Sequence, residues 1–303
     1  MGTPDFAVAP LEALLDAGFN VVGVVTMPDK PAGRGHHTQP SPVKRFAVEH
    51  DLPLLQPERL RDEDFLINLK MWDADVQVVV AFRMLPEVVW NMPRLGTVNL
   101  HASLLPQYRG AAPINWAIIN GETETGVTTF FLKHEIDTGD MVLQRRVPIT
   151  PDETAGTLHD KLMREGAELL VETMRLVAAD KYDTVLQDET KALKPAPKIF
   201  KDDCRIDWNR PVAAIRDFVR GLSPYPAAFT EVAAGKDPKA TMKVLECRAL
   251  PGPVNAAPGT VDTDGKKYLR IAGADGWVEV LSAQLPGKKV MDTPSLLRGT
   301  RIG

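Results

Sequence analysis

Two residues in the run Thr97-Val98-Asn99-Leu100-His101 carry groups that can do chemistry, and they stand two apart. On a β-strand that spacing puts an amide and an imidazole on one face. A carboxylate follows at Asp137, in Ile136-Asp137-Thr138-Gly139-Asp140. Together an amide, an imidazole and a carboxylate can stabilise an oxyanion and move a proton. The structural alternative is that Asn99 and His101, at a strand end, bond nearby backbone. Other constellations are weaker. Gly33-Arg34-Gly35 lies in a basic loop with neither Gly-x-Gly-x-x-Gly nor the Lys-Ser/Thr of a P-loop. The vicinal pair His36-His37 lacks a third ligand, so no metal is expected.

The elements that must position these groups alternate between helical periods and short apolar runs, the pattern of an α/β domain. Thr3-Pro4-Asp5 reads as a helix start, with Thr3 as cap, for a helix reaching Leu15. A strand is expected over 20–26 and the strongest one over 76–81, with Ser41-Pro42 opening a helix through about His50. The expected fold is a doubly wound, mostly parallel, Rossmann-like sheet, in which ligands bind beyond the carboxyl ends of the strands. That places the chemistry near residues 82–84 and 99–110. Such a domain normally begins with a strand, yet Met1-Gly2-Thr3-Pro4 leaves no room for one. Either a leader is missing or the sheet has a central slot. A missing leader is the expectation, because an unfilled slot leaves two rows of backbone groups unpaired.

Length and charge bound the rest. At 303 residues the chain is about two domains long. It reads as a domain over 1–190, a basic linker over 191–203 and a second domain over 204–303. In the second, a helix from Asp207 to Leu222 precedes short β-runs separated by Gly and Pro, the spacing of a small OB-like β-barrel. With 44% hydrophobic and 25% charged residues, disorder and coiled coil drop out. Two cysteines make no disulfide framework, which implies a reducing, cytoplasmic setting. The apolar stretch 6–25 contains Glu12 and Asp16 and is neither a membrane span nor a signal. Basic and acidic residues number 17 and 28 through residue 190 (−11), but 19 and 12 beyond it (+7), for a net −4. A basic module on an acidic body favours a phosphate-rich partner, although surface lysines that only solvate would give the same count.

The order Asn99-x-His101-x-Ser103-Leu104-Leu105-Pro106, Arg109-Gly110, then Asp137 resembles the active-site signature of the formyltetrahydrofolate-dependent formyltransferases. Gly2-Thr3-Pro4-Asp5-Phe6, Pro28-Asp29-Lys30-Pro31-Ala32-Gly33-Arg34-Gly35 and Pro40-Ser41-Pro42-Val43-Lys44 resemble the members acting on methionyl-tRNA, as do Arg205-Ile206-Asp207-Trp208, Ser223-Pro224-Tyr225-Pro226 and Lys288-Lys289-Val290-Met291. The resemblance runs along essentially the whole chain, except that the family's first strand would precede Gly2. It implies formyl transfer from 10-formyltetrahydrofolate to the α-amino group of methionine on initiator tRNA, without a metal, membrane or obligate protein partner. Asn99 and His101 would then be oxyanion donors, and Asp137 would orient the imidazole or a water and carry a proton. Phe82, Arg83, Met84, Leu85, Ser103, Leu104, Leu105 and Pro106 would line the folate pocket. Arg34, Lys30, Lys288 and Lys289 would meet tRNA, and Arg109 would face phosphate or cap its loop. A serine nucleophile at Ser103 is not needed when an amine attacks the donor directly. The rivals are a sugar-nucleotide (UDP-amino sugar) formyltransferase, a silent RNA-binding protein and a formyltetrahydrofolate hydrolase.

Overall fold

Near-continuous valine runs can hold a strand only where a neighbouring backbone is there to pair with, and this decides how much of each run becomes β-structure. The computed structural model describes residues 1–32, 37–190 and 193–303. In chain order, a 3-10 turn Asp5–Ala7 leads into α1 (Val8–Asp16), β1 (Val24–Val25), the short antiparallel pair β2 (Lys30–Ala32) and β3 (His37–Gln39), then α2 (Pro42–Glu49). β4 (Leu54–Leu55), α3 (Glu63–Met71), β5 (Gln77–Val80), α4 (Glu87–Trp90) and β6 (Thr97–His101) follow. Next come α5 (Pro113–Ile119), β7 (Glu124–Phe131), β8 (Met141–Pro148), α6 (Ala155–Ala178) and, after a 3-10 turn Asp202–Cys204, α7 (Val212–Leu222). The chain ends with β9 (Ala228–Ala234), β10 (Asp237–Pro251), β11 (Val261–Thr263), β12 (Leu269–Ala272), β13 (Gly276–Gln284), β14 (Met291–Asp292) and α8 (Thr293–Gly299).

Two compact units result. The first holds Met1–Gly110, Thr125–Val147 and His159–Pro195; the second holds Ala111–Glu124, Pro148–Leu158 and Ala196–Gly303. Segments 111–124 and 148–158, which chain order alone gives to the first domain, belong to the second; in 111–124, α5 lays Ile119 into that unit's core with Trp116 against it.

In the first unit β1 pairs in parallel with β4, β5 pairs in parallel with β6, and β6 pairs antiparallel with β7, which neighbours β8. Between the two parallel ladders lies the slot. Gly2 N donates to Val25 O at 3.1 Å, the Met1 ammonium donates to Val78 O at 2.6 Å, and Val80 N donates to Met1 O at 2.9 Å. Met1–Gly2 therefore bridges both sides as a single rung. Beside it lies a cavity of about 470 Å³ lined by Val21, Val22, Gly23, Trp72, Val76 and Val78 among others. The strand expected over 20–26 is confined to Val24–Val25 because residues 21–23 face this cavity instead of a partner. Thr3 is not a helix cap: the first turn starts after Pro4, and Thr3 Oγ1 is buried without a partner. Ser41 does cap α2, accepting from Lys44 N at 3.0 Å.

The second unit is an antiparallel sheet of order β11-β12-β13-β10-β9, with β14 against β13. Two register shifts, around Glu246, bend the long β10 and curl the sheet into a half-barrel. Helix α7 covers it with Val212, Ile215, Val219 and Leu222, four turn-spaced apolar residues that are all buried. It begins at Val212 and not at Asp207, since Asp207 closes a turn onto Asn209 N and Pro211 disfavours helix at the residue before it. Asp275 Oδ1 accepts from Val212 N at 2.8 Å and satisfies the helix start.

Candidate active site

Strand β6 is the element that aims the candidate groups. Leu100 points to α6, where a Cβ on Gly166 would lie 3.0 Å from its Cδ2, so glycine is what lets the leucine approach so closely. By the alternation of a strand, Asn99 and His101 face the other side. Register places Asn99 between Val79 of β5 and Phe130 of β7, and His101 opposite Thr128.

His101 is 7% exposed. Its Nε2 lies 2.9 Å from Tyr108 O, and its Nδ1 lies 3.8 Å from Asp137 Oδ2. A neutral imidazole donating from Nε2 to that carbonyl turns a lone pair toward the carboxylate, whereas the protonated ring offers both neighbours an N–H. Asp137 is buried at φ 54, and its Oδ2 also accepts from Gly110 N at 2.9 Å. Neither ring nitrogen of His101 is left facing open space, while the Asn99 side chain is half-buried with no hydrogen-bond partner among the described residues. Asn99 and His101, the two donors expected from the sequence, thus share one strand face, the Asn99 amide without a partner and the imidazole between Tyr108 O and Asp137.

The loop after β6 is internally tied. Ser103 is fully buried and its Oγ donates to Gln107 O at 2.7 Å, an arrangement unsuited to a nucleophile. Thr128 Oγ1 donates to Ser103 O at 2.7 Å, and Gln144 Nε2 donates to Leu105 O at 3.0 Å. Leu105 is buried, Leu104 and Pro106 are half-buried, and Leu104 lies against Gly126. Beyond the end of β5, Met84 is 75% exposed, Phe82 and Arg83 are half-buried, and Leu85 is part of the apolar core with Val25, Val79 and Val89. Arg83 donates to Glu58 O and Pro57 O, which fixes the 57–58 loop; its Nε is buried without a partner. Arg109 does not face open solvent: Gln187 Oε1 accepts from its Nε at 3.0 Å and its Nη2 at 2.7 Å, and Glu189 pairs with it at 2.8 Å.

The remaining site residues lie elsewhere. Arg34 and His36 are outside the described residues, and Lys30 begins β2. Asp29, just before it, is gripped by Lys44 at 2.5 Å and by Gln56 Nε2 at 2.9 Å; the hydrogen bond from Lys44 holds its carboxyl below the usual carboxylate range. Lys288 and Lys289 are exposed in the second unit, after β13. Sequence reasoning missed Thr128, Gln144 and Gln187, of which Thr128 and Gln144 lie on strands and Gln187 in a stretch without regular structure. Among the described residues no group of three or more His, Cys, Asp or Glu is placed to hold a metal ion, and no helix is long and apolar enough to cross a membrane.

With this geometry in view, the chain matches two family models, Formyl transferase over residues 1–174 and Formyl transferase, C-terminal domain, over residues 198–301. It is 60% identical to a methionyl-tRNA formyltransferase of Bacteroides fragilis over 305 residues, covering 100% of this chain and 94% of that protein. A methionyl-tRNA formyltransferase of Flavobacterium johnsoniae is 49% identical, covering 99% of this chain and 94% of its own length. Among solved structures, WlaRD, a sugar 3N-formyl transferase crystallised with dTDP and 5-N-formyl-THF, superposes with a TM-score of 0.65 at 18% identity, over 95% of this chain and 97% of that one. HypX of Aquifex aeolicus in complex with tetrahydrofolic acid gives 0.58 at 20% identity, over 82% and 42%. At these identities the two structures share the fold.

Proposed function

The chain belongs to the formyl transferase family, among the methionyl-tRNA formyltransferases, and on that premise we propose that it moves the formyl group of 10-formyltetrahydrofolate onto the α-amino group of methionine esterified to initiator tRNA. The observation that carries the reading is the His101–Asp137 pair, 3.8 Å apart at the end of β6, on the strand face that bears the unpartnered Asn99 amide.

An α-amino group titrates at roughly 7.7–8.0, so part of it is already a neutral nucleophile at neutral pH. The larger task is to stabilise the oxygen that becomes negative as the amine nitrogen bonds to the formyl carbon. Asn99 supplies side-chain N–H donors there, a contribution of about 2.7–4 kcal/mol in a comparable hole. As the new C–N bond forms, the amine nitrogen loses a proton, which the Asp137 carboxylate, braced by His101, carries to the folate nitrogen as its bond to the formyl carbon breaks. Charge and atoms then balance with no acyl-enzyme, consistent with a Ser103 hydroxyl turned into its own loop. Phe82, Arg83 and Met84 at the end of β5, with Ser103 to Pro106, would frame the folate. Leu85 and Leu105 would act through the packed wall behind it, since both are buried.

The second unit, with its exposed Lys288 and Lys289, would hold tRNA through backbone phosphate, while Arg34 and Lys30 would approach the acceptor end. The test is formyl transfer measured side by side on aminoacylated initiator tRNA and on a UDP-amino sugar. Transfer to methionyl-tRNA alone is expected. Transfer to the sugar alone, or formate release without an acceptor, would overturn the proposal.

A further inference from the structure

Gln187 stands out in a stretch that otherwise faces solvent: residues 183–190 are exposed except for this half-buried amide. The stretch is held to β8 at one point, where Met141 N and Val185 N each donate to the other's carbonyl, at 2.9 and 2.8 Å. That single bridge leaves Gln187 turned inward. Its Nε2 donates to Asp137 O and to Gly139 O, both at 2.8 Å, and its Oε1 accepts twice from Arg109. All the donor and acceptor capacity of one amide is spent on joining two segments. One is the 102–110 loop, which brings Tyr108 O and Gly110 N to the site, and the other is the turn bearing Asp137.

The turn needs this support. Asp137 has φ 54, a left-handed conformation that costs a non-glycine residue about 1–2 kcal/mol and persists only where the surroundings over-determine it. Gly110 N fixes the carboxylate end of Asp137 and Gln187 fixes its backbone carbonyl, so the side chain reaches His101 Nδ1 from a backbone gripped on its far side. Resting on the function proposed above, we infer that Gln187 is a positioning residue for formyl transfer. It sets the Asp137 carboxylate against His101 without touching substrate.

Gln187→Glu is the sharpest test. The carboxylate keeps two acceptors for Arg109 but cannot donate to the two carbonyls, and Gln187→Met removes both functions at similar volume. Single-turnover formylation should fall at least tenfold in Gln187→Glu, with KM for both substrates within about twofold, because misplacement near 1 Å is enough to cost on the order of 10²-fold in rate. In an Asp137→Asn background the same change should cost less than about twofold, since the group being positioned no longer acts. Wild-type rates in both Gln187 variants, or an equal proportional loss in both backgrounds, would overturn the inference. NMR of the His101 ring nitrogens reads the same point without turnover. Gln187→Glu should move them as Asp137→Asn does, and unmoved resonances would also overturn it. An enzyme inert on methionyl-tRNA but with coupled ring shifts would refute the proposed substrate and leave the positioning role standing.

Discussion

His101 and Asp137 meet at 3.8 Å between Nδ1 and Oδ2, both buried, with the far nitrogen of the imidazole held by Tyr108 O and the same carboxylate oxygen held by Gly110 N. Two residues from different segments are thus fixed by backbone groups of one loop, which makes the pair rigid and its parts interdependent.

Because they act as a unit, their losses should not add. His101→Ala and Asp137→Asn should each lower single-turnover formyl transfer by about 10²–10⁴, the usual range for a positioned acid–base group. The double variant should be no more than a few-fold worse than the poorer single one. Multiplicative losses would show independent roles.

Asn99 is expected to act through transition-state charge alone. Asn99→Ala should reduce kcat by about 10²–10³ with little change in KM. A rise in KM with kcat preserved would assign the amide to substrate binding instead.

Gly139 has no room for a side chain: a Cβ there would sit 1.6 Å from Phe131 O. Gly139→Ala must displace the turn that carries Asp137. It should destabilise by about 1–3 kcal/mol on overpacking grounds, read by urea denaturation, and depress kcat as well.

The Met1 amino group is buried beside the slot, which pushes it down from 8.0 to about 5. Between these values the unfolded chain binds a proton that the folded chain does not, so stability rises with pH from about 5 to 8. The full contribution is about 4 kcal/mol, from a shift of about three units at 1.36 kcal/mol each. Urea midpoints at pH 5, 6.5 and 8 test this.

Binding of tRNA should weaken steeply between 50 and 200 mM salt, and Lys288→Ala and Lys289→Ala should each reduce the log–log salt slope by about 1. Filter binding across that range measures it. A flat response would remove the second unit from tRNA recognition.

Local rules carried far along this chain. The two-residue spacing of Asn99 and His101, the Ser41 cap and the valine run of β5 rest on interactions within a few residues, and the structure has each of them in place. The run 20–26 failed by the same logic: its side chains favour a strand, but a ladder needs a second backbone, and beside residues 21–23 lies a cavity. Sequence alone therefore determined the Ser41-capped helix, the β5 strand, the strand face bearing the amide and imidazole, and the family. Only tertiary structure decided that Asp137 reaches His101, that Arg109 is tied to Gln187 and Glu189, that α5 belongs to the second unit, and that Gln187 grips the Asp137 turn. Those contacts join residues tens of positions apart, and chain-local propensity holds no information about which distant backbone will arrive beside a given side chain.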